Sequence, residues 1–193
     1  HFVSDVQSVV SRQKEAATFG VITVGAFQAG TVGNIIPDEA RLRLSLRSFT
    51  PQVRGLLMNG VEKTAQAVSM MAGAPAPTIA HLNGSAATYN DPALLARLTP
   101  ALKSAFGQGV VAIPASAPGF SGSEDFSELA ARGIPSAYLM IGGDTPEKLA
   151  EYKAKGVAAP TNHSPLFAPA AVPAIRNGAT ALVLSVLTLN GVQ

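Results

Sequence analysis

The sequence predicts an α+β fold: a two-layer sandwich with an antiparallel sheet, followed by a portion of α/β type. Three observations carry this. Leu42, Leu44 and Leu46 alternate with Arg41, Arg43, Ser45 and Arg47, the period of a half-buried antiparallel strand with a cationic outer face. Residues 2–82 read in order as helix, strand, strand, helix, strand, a sandwich unit with one strand missing from its front. Beyond residue 92 apolar helical stripes alternate with short apolar runs, as α/β layers do. The stretch NGSAATYNDP, residues 83–92, is the most linker-like in the chain. Two domains are therefore expected, 1–86 and 87–193.

Each element has a local cause. Phe2, Val3, Val6, Val9 and Val10 share one helix face, closed by a polar turn from Arg12 to Glu15. VITVGAF, residues 21–27, is β-rich, and the Gly-punctuated QAGTVGNIIPDEA turns the chain into the alternating strand. Thr50 caps the next helix, with Pro51 at its first position, a stripe from Val53 to Met71, and Gly73 to end it. Residues 75–82 read as a further strand. Asp91–Pro92 opens a helix striped by Leu94, Leu95, Leu98, Leu102 and Phe106, which Pro100 is expected to kink or split. Val110–Ile113 and PSAYLMI, residues 135–141, read as buried strands, and residues 123–132 between them as a helix closed by Gly133. Thr145–Pro146 opens a polar helix, and residues 169–189 form an Ala-rich helix, apolar nearly all round and expected to be buried.

The bulk composition narrows the function. With 193 residues and 47% hydrophobic content the chain can build a core, but 6% aromatic content and no Trp leave it to Ala, Val, Leu and Ile. A net charge of +2 without a basic tract gives no electrostatic footprint for nucleic acid. No apolar run reaches membrane-spanning length in the linear reading. There is no cysteine, hence no disulfide and no thiolate ligand. No targeting pattern is visible, so cytoplasmic and periplasmic locations both stay open. An opening inside a helical pattern at His1–Phe2 suggests a fragment or a processed form. No P-loop, GxGxxG, GxSxG or HExxH motif occurs, so NTPase, dinucleotide, serine-hydrolase and single-helix zincin chemistry find no support.

Three stretches carry candidate chemistry. His163 lies in PTNHSPLFAP, a proline-bounded polar loop before the last helix. Neutral imidazole there suits a metal ligand or a general base, and equally a surface histidine bonded to its own turn. Of the other histidines, His1 is terminal and His81 reads as sitting on the wet face of a strand. Glu124 and Asp125 follow Ser121-Gly122-Ser123 at a helix start. There a carboxylate either serves the helix dipole or faces a pocket and orients a ligand. Asn34 occupies a Gly-flanked turn and Arg47 ends the cationic strand. An Arg fork matches a carboxylate, so the two together are candidates for an acidic substrate end, against the plainer reading of a turn residue and an exposed arginine. One well-placed histidine cannot hold two metals by itself.

The run GNIIPDEARLRLSLR, then SGSEDFS, then NHSPLFAP before a C-terminal helix resembles the metal-dependent amidohydrolases. These are the aminoacylases, hippurate hydrolases and indole-acetyl-amino-acid hydrolases of the zinc peptidase clan. The likeness runs from about Phe2 to Asn190. It implies a lid domain at 1–86 that usually forms homodimers, and the C-terminal part of a catalytic domain at 87–193. It implies two divalent metals per complete site (zinc, manganese or cobalt), and hydrolysis of N-acyl amino acids or similar small amides. His163 matches the family's C-terminal metal-ligand histidine, Glu124 a position beside the active site, and Asn34 and Arg47 lid positions that contact substrate. The family's remaining metal ligands and its general-base glutamate have no counterpart here, so the chain alone is expected to be inactive. The alternative is a non-catalytic dimerisation or binding module derived from that fold. Neither nucleic acid nor membrane is an expected partner.

Overall fold

The computed structural model describes residues 1–82, 84–113, 122 and 124–191. The chain divides into two compact units. One holds His1–Ala87 with the described residues between 117 and 128; the other holds the described residues of Thr88–Ser116 and Leu129–Gln193.

The first unit is a helix layer on a two-stranded antiparallel sheet. Strand β1 (Gly20–Ala29) pairs with β2 (Ala40–Ser48) in a register that sets Ile22 against Leu46 and Val24 against Leu44. A bulge between Val24 and Ala26 follows the glycine in VITVGAF, where no side chain is lost to the packing. The alternation in β2 is as expected: Leu42, Leu44 and Leu46 are half-buried, and Arg41, Arg43, Ser45 and Arg47 exposed. Helix α2 (Pro51–Met71) lies on the leucine face. Its N-terminus is capped as read from the sequence, with the Val53 amide donating to the Thr50 hydroxyl at 3.2 Å. Gly73 takes φ +62° just past its end, a conformation that costs glycine little.

The core of this unit is Val6, Val9, Ile22 and Leu57, flanked by Phe2, Val10, Val53 and Leu56. The first helical segment is broken: α1 covers only Phe2–Asp5, and a π-helical turn follows at Val9–Gln13. The break lets Val6 and Val9 both turn fully inward. Gly60 makes this packing possible, because a Cβ there would overlap the Val9 methyls.

In the second unit, α3 (Pro92–Phe106) packs on α6 (Ala171–Leu189) around Leu98, Leu102 and Ala181. The Asp91 carboxylate accepts from Leu94 N at 2.8 Å, and the Thr145 hydroxyl from Lys148 N at 3.3 Å at the head of α5 (Pro146–Ala154). Pro100 does not split α3. It removes one intrahelical donor, while Leu98 and Leu102 on either side stay anchored in the core.

Several expectations are corrected. Residues 75–82, 110–113 and 135–141 belong to no strand, so the second half shows helices without an α/β sheet among the described residues. A strand exists only where a neighbouring backbone pairs with it. For 135–141 a side chain supplies one rung: the Asn90 carboxamide accepts from Tyr138 N at 2.6 Å and donates to Tyr138 O at 3.2 Å. Burial fails there too, since Val111, Ile113, Tyr138, Met140 and Ile141 are all exposed. The helix expected over 123–132 is the shorter α4, Ser127–Ala131. Helix α6, expected to be buried, is covered along one stripe only. Val172, Ile175, Leu182, Val183 and Val186 are exposed. By length and composition alone α6 is apolar enough to cross a membrane, which the linear reading did not anticipate.

Helix α2 offers a sign test. Gly55 faces open space, so Gly55→Ala gains helix propensity and is expected to stabilise by up to about 1 kcal/mol. Gly60→Ala gains the same propensity but overpacks Val9, and is expected to destabilise by about 1–3 kcal/mol. Urea unfolding of the two variants checks both signs.

Candidate functional site

The loop before α6 is two successive turns. Ser164 N donates to Thr161 O and Phe167 N to Ser164 O, both at 3.0 Å. His163 holds the third position of the first turn with φ +72°, the only non-glycine residue with positive φ among those described. A type II turn requires that sign, and glycine or asparagine is its usual occupant. The histidine therefore sits where the backbone disfavours it, by about 1 kcal/mol. Its ring is exposed and makes no hydrogen bond with the described residues. That suits an imidazole held out for an external partner.

Glu124 sits at the entrance to α4. One carboxylate oxygen accepts from Phe126 N at 2.7 Å and the other from Ser127 N at 3.1 Å. The Ser127 hydroxyl, buried, returns a bond to Glu124 O at 3.1 Å. Here the carboxylate precedes the helix and satisfies its orphan amides, rather than lying in its first turn. Ser121 and Ser123 of the same motif lie outside the described residues.

Asn34 and Arg47 are not brought together. Asn34 is exposed in the loop that joins β1 and β2, between Ala29 and Ala40. Arg47 faces Val21 near the other end of the ladder. Arg47 is seven residue steps along β2 from Ala40, about 23 Å. The pairing of these two on one substrate carboxylate finds no support within a single chain. Beside the hairpin loop, Gln28, Ala29, Gly30, Glu39 and Arg41 line an open depression of about 310 Å³, and Arg41 pairs with Glu39 at 2.9 Å. His81, read as a bland strand residue, contacts Glu62 of α2 through Nε2 at 2.8 Å.

Among the described residues no three His, Asp or Glu side chains gather as a metal site. His163 fits the part of one imidazole donor, and no second donor joins it. One feature escaped the sequence reading altogether. Lys148 of α5 pairs with Asp144 at 2.7 Å and donates to Ala168 O at 2.5 Å, beside the His163 loop. Asp144 holds the Lys148 ammonium above its ordinary pKa, with the Tyr152 ring 6.0 Å away, so this group stays charged at neutral pH. The signal was there in the four-residue spacing of Asp144 and Lys148 across the Thr145–Pro146 helix start.

No family model matches the chain. Among curated proteins, N-acetyldiaminopimelate deacetylases are similar. That of Streptococcus suis is 30% identical over 149 residues, covering 77% of this chain and 38% of its own length. That of Streptococcus pneumoniae is 31% identical with the same coverage. An uncharacterised hydrolase of Sinorhizobium fredii is 29% identical over 145 residues, 35% of its length. The chain thus spans well under half of the relatives it matches. The solved structure of a protein described as an aminohydrolase from methicillin-resistant Staphylococcus aureus overlays 96% of this chain on 43% of its own, with TM-score 0.70 and 25% identity. The chain is similar to amide-cleaving hydrolases over most of its length.

Two substitutions read the local geometry. Glu124→Ala is expected to cost about 1 kcal/mol and to raise amide exchange at Phe126 and Ser127. His163→Gly is expected to stay within about 0.5 kcal/mol of the parent, because relief of the positive φ offsets added freedom of the unfolded chain. His163→Val is expected to cost about 1–2 kcal/mol, since a β-branched residue tolerates that region worst. Thermal unfolding with amide exchange checks all three.

Proposed function

We propose that this chain is the C-terminal portion of a metal-dependent amidohydrolase that cleaves the amide bond of N-acyl amino acids or similar small amides. The observation that carries the reading is the overlay of 96% of the chain on less than half of an aminohydrolase, at TM-score 0.70. The deacetylase relatives, matched over 38% of their length, support both the reaction class and the partial span. Residues 1–86 would be the lid and 87–193 the end of the catalytic domain. The bare face of α6 is what such a portion would leave uncovered.

In this reading His163 offers one imidazole to a divalent metal: zinc, manganese or cobalt, two ions per complete site. The metal supplies Lewis-acid activation of water and of the amide carbonyl. The chain's own residues hold and orient. The turn at Thr161–Ser164 fixes His163 outward, and Glu124 anchors the start of α4. Asn34 and Arg47, at opposite ends of the hairpin, would serve substrate in different places. A homodimer through residues 1–86 would let one of them reach the neighbouring subunit's site. The remaining ligands and the general base would come from polypeptide outside this sequence. The second reading is a non-catalytic dimerisation or binding module derived from that fold, whose dimer would be indifferent to chelator.

The test is an assay on N-acetyl- and N-benzoyl-amino acids with zinc, manganese or cobalt. The chain alone is expected to give no turnover. Fused to the complementary N-terminal part of an N-acetyldiaminopimelate deacetylase, it is expected to give turnover that a chelator abolishes. Robust turnover by the chain alone would refute the incomplete site. A folded, metal-loaded fusion without activity would refute the amidohydrolase reading.

A further inference from the structure

We infer that Lys148, with Asp144 and Gly143, clamps the end of the loop that presents His163, which makes Lys148 a positioning residue for that imidazole. The inference rests on the proposed role of His163 as a ligand. Three contacts converge on residues 167–170. The Lys148 ammonium donates to Ala168 O at 2.5 Å. The Ala170 amide donates to Gly143 O at 2.7 Å. Gly143 lies so close to the loop that a Cβ there would come 3.2 Å from the Pro169 Cβ, with the Phe167 ring next at 3.8 Å.

The clamp is itself held. Asp144, only 12% exposed in its side chain, takes Lys148 at 2.7 Å, and the two are one helical turn apart. The Thr145 cap fixes the first turn of α5, on which Lys148 stands. From Phe167 the order passes back along the chain. Phe167 N bonds Ser164 O, Leu166 N bonds the Ser164 hydroxyl at 3.2 Å, and Ser164 N bonds Thr161 O. Each link ends on a residue of the next turn, and the last closes around His163. A residue with φ +72° persists only where its surroundings over-determine it, and α6 gives no such support, since its Ala170 N-cap offers no side-chain bond. The four-carbon stem and three donors of a lysine suit the task. One hydrogen bond goes to Asp144, one to the loop carbonyl, and the remaining charge faces the Tyr152 ring.

The experiment is ¹⁵N relaxation on the full 193-residue chain, reading the backbone order of His163 and, as a control, of α5 and α2. In the parent chain His163 is expected to show the order of rigid backbone, S² about 0.85. In Lys148→Met it is expected to fall below about 0.6, with the order of α5 and α2 unchanged. Lys148→Arg, which can still reach both oxygens, is expected to restore it. Gly143→Ala, which pushes on Pro169 by a different route, is expected to lower it as well. An unchanged His163 in both Lys148→Met and Gly143→Ala would overturn the clamp, and so would failure of arginine to restore what methionine removes. Because the readout is loop order rather than turnover, the clamp and the amidohydrolase reading can fail separately.

Discussion

Leu57 packs against Val6, Val9 and Ile22 with no surface left exposed, and Gly60 brings α2 close enough to the Val9 turn to seal that contact. The first unit depends on this packing. The apolar face of β2 needs a cover, and α2 supplies it. The N-terminal segment, broken into a short helix and a π-helical turn, fills the remaining gap with two valines. Burying a valine or leucine of this kind contributes about 1.5–3 kcal/mol, so four such residues outweigh anything the exposed ion pairs offer.

The same need for cover is met only in part in the second unit. Leu98, Leu102 and Ala181 join α3 to α6, but the rest of α6 and the segments 110–113 and 135–141 keep large apolar side chains in solvent. Loose strand candidates and a bare helix face belong together physically. The Asn90 carboxamide, bonding both backbone groups of Tyr138, does for one residue what a neighbouring strand does for several.

The candidate site has the same partial character. His163 is fixed outward in a turn that tolerates it poorly, Glu124 spends both carboxylate oxygens on backbone amides, and Asn34 and Arg47 stand apart along the hairpin. Each is placed by its own turn or strand. The Lys148 contact shows how a loop residue is held without joining the chemistry. A cation on a helix start reaches a carbonyl five residues beyond the histidine it steadies.

Local order was legible in the sequence because it is set over a few residues. Thr50–Pro51, Asp91–Pro92 and Thr145–Pro146 each capped the helix they announced, Gly73 took its positive φ, and the Leu/Arg alternation of β2 kept its two faces. These follow from hydrogen bonds to adjacent amides and from a period of two, neither of which needs a distant partner. Only the tertiary structure decided which apolar runs become strands, which face of α6 is covered, how far Asn34 lies from Arg47, and that Lys148 reaches Ala168. Pairing, burial and long side-chain reach depend on what lies opposite in space, and spacing along a chain does not encode that.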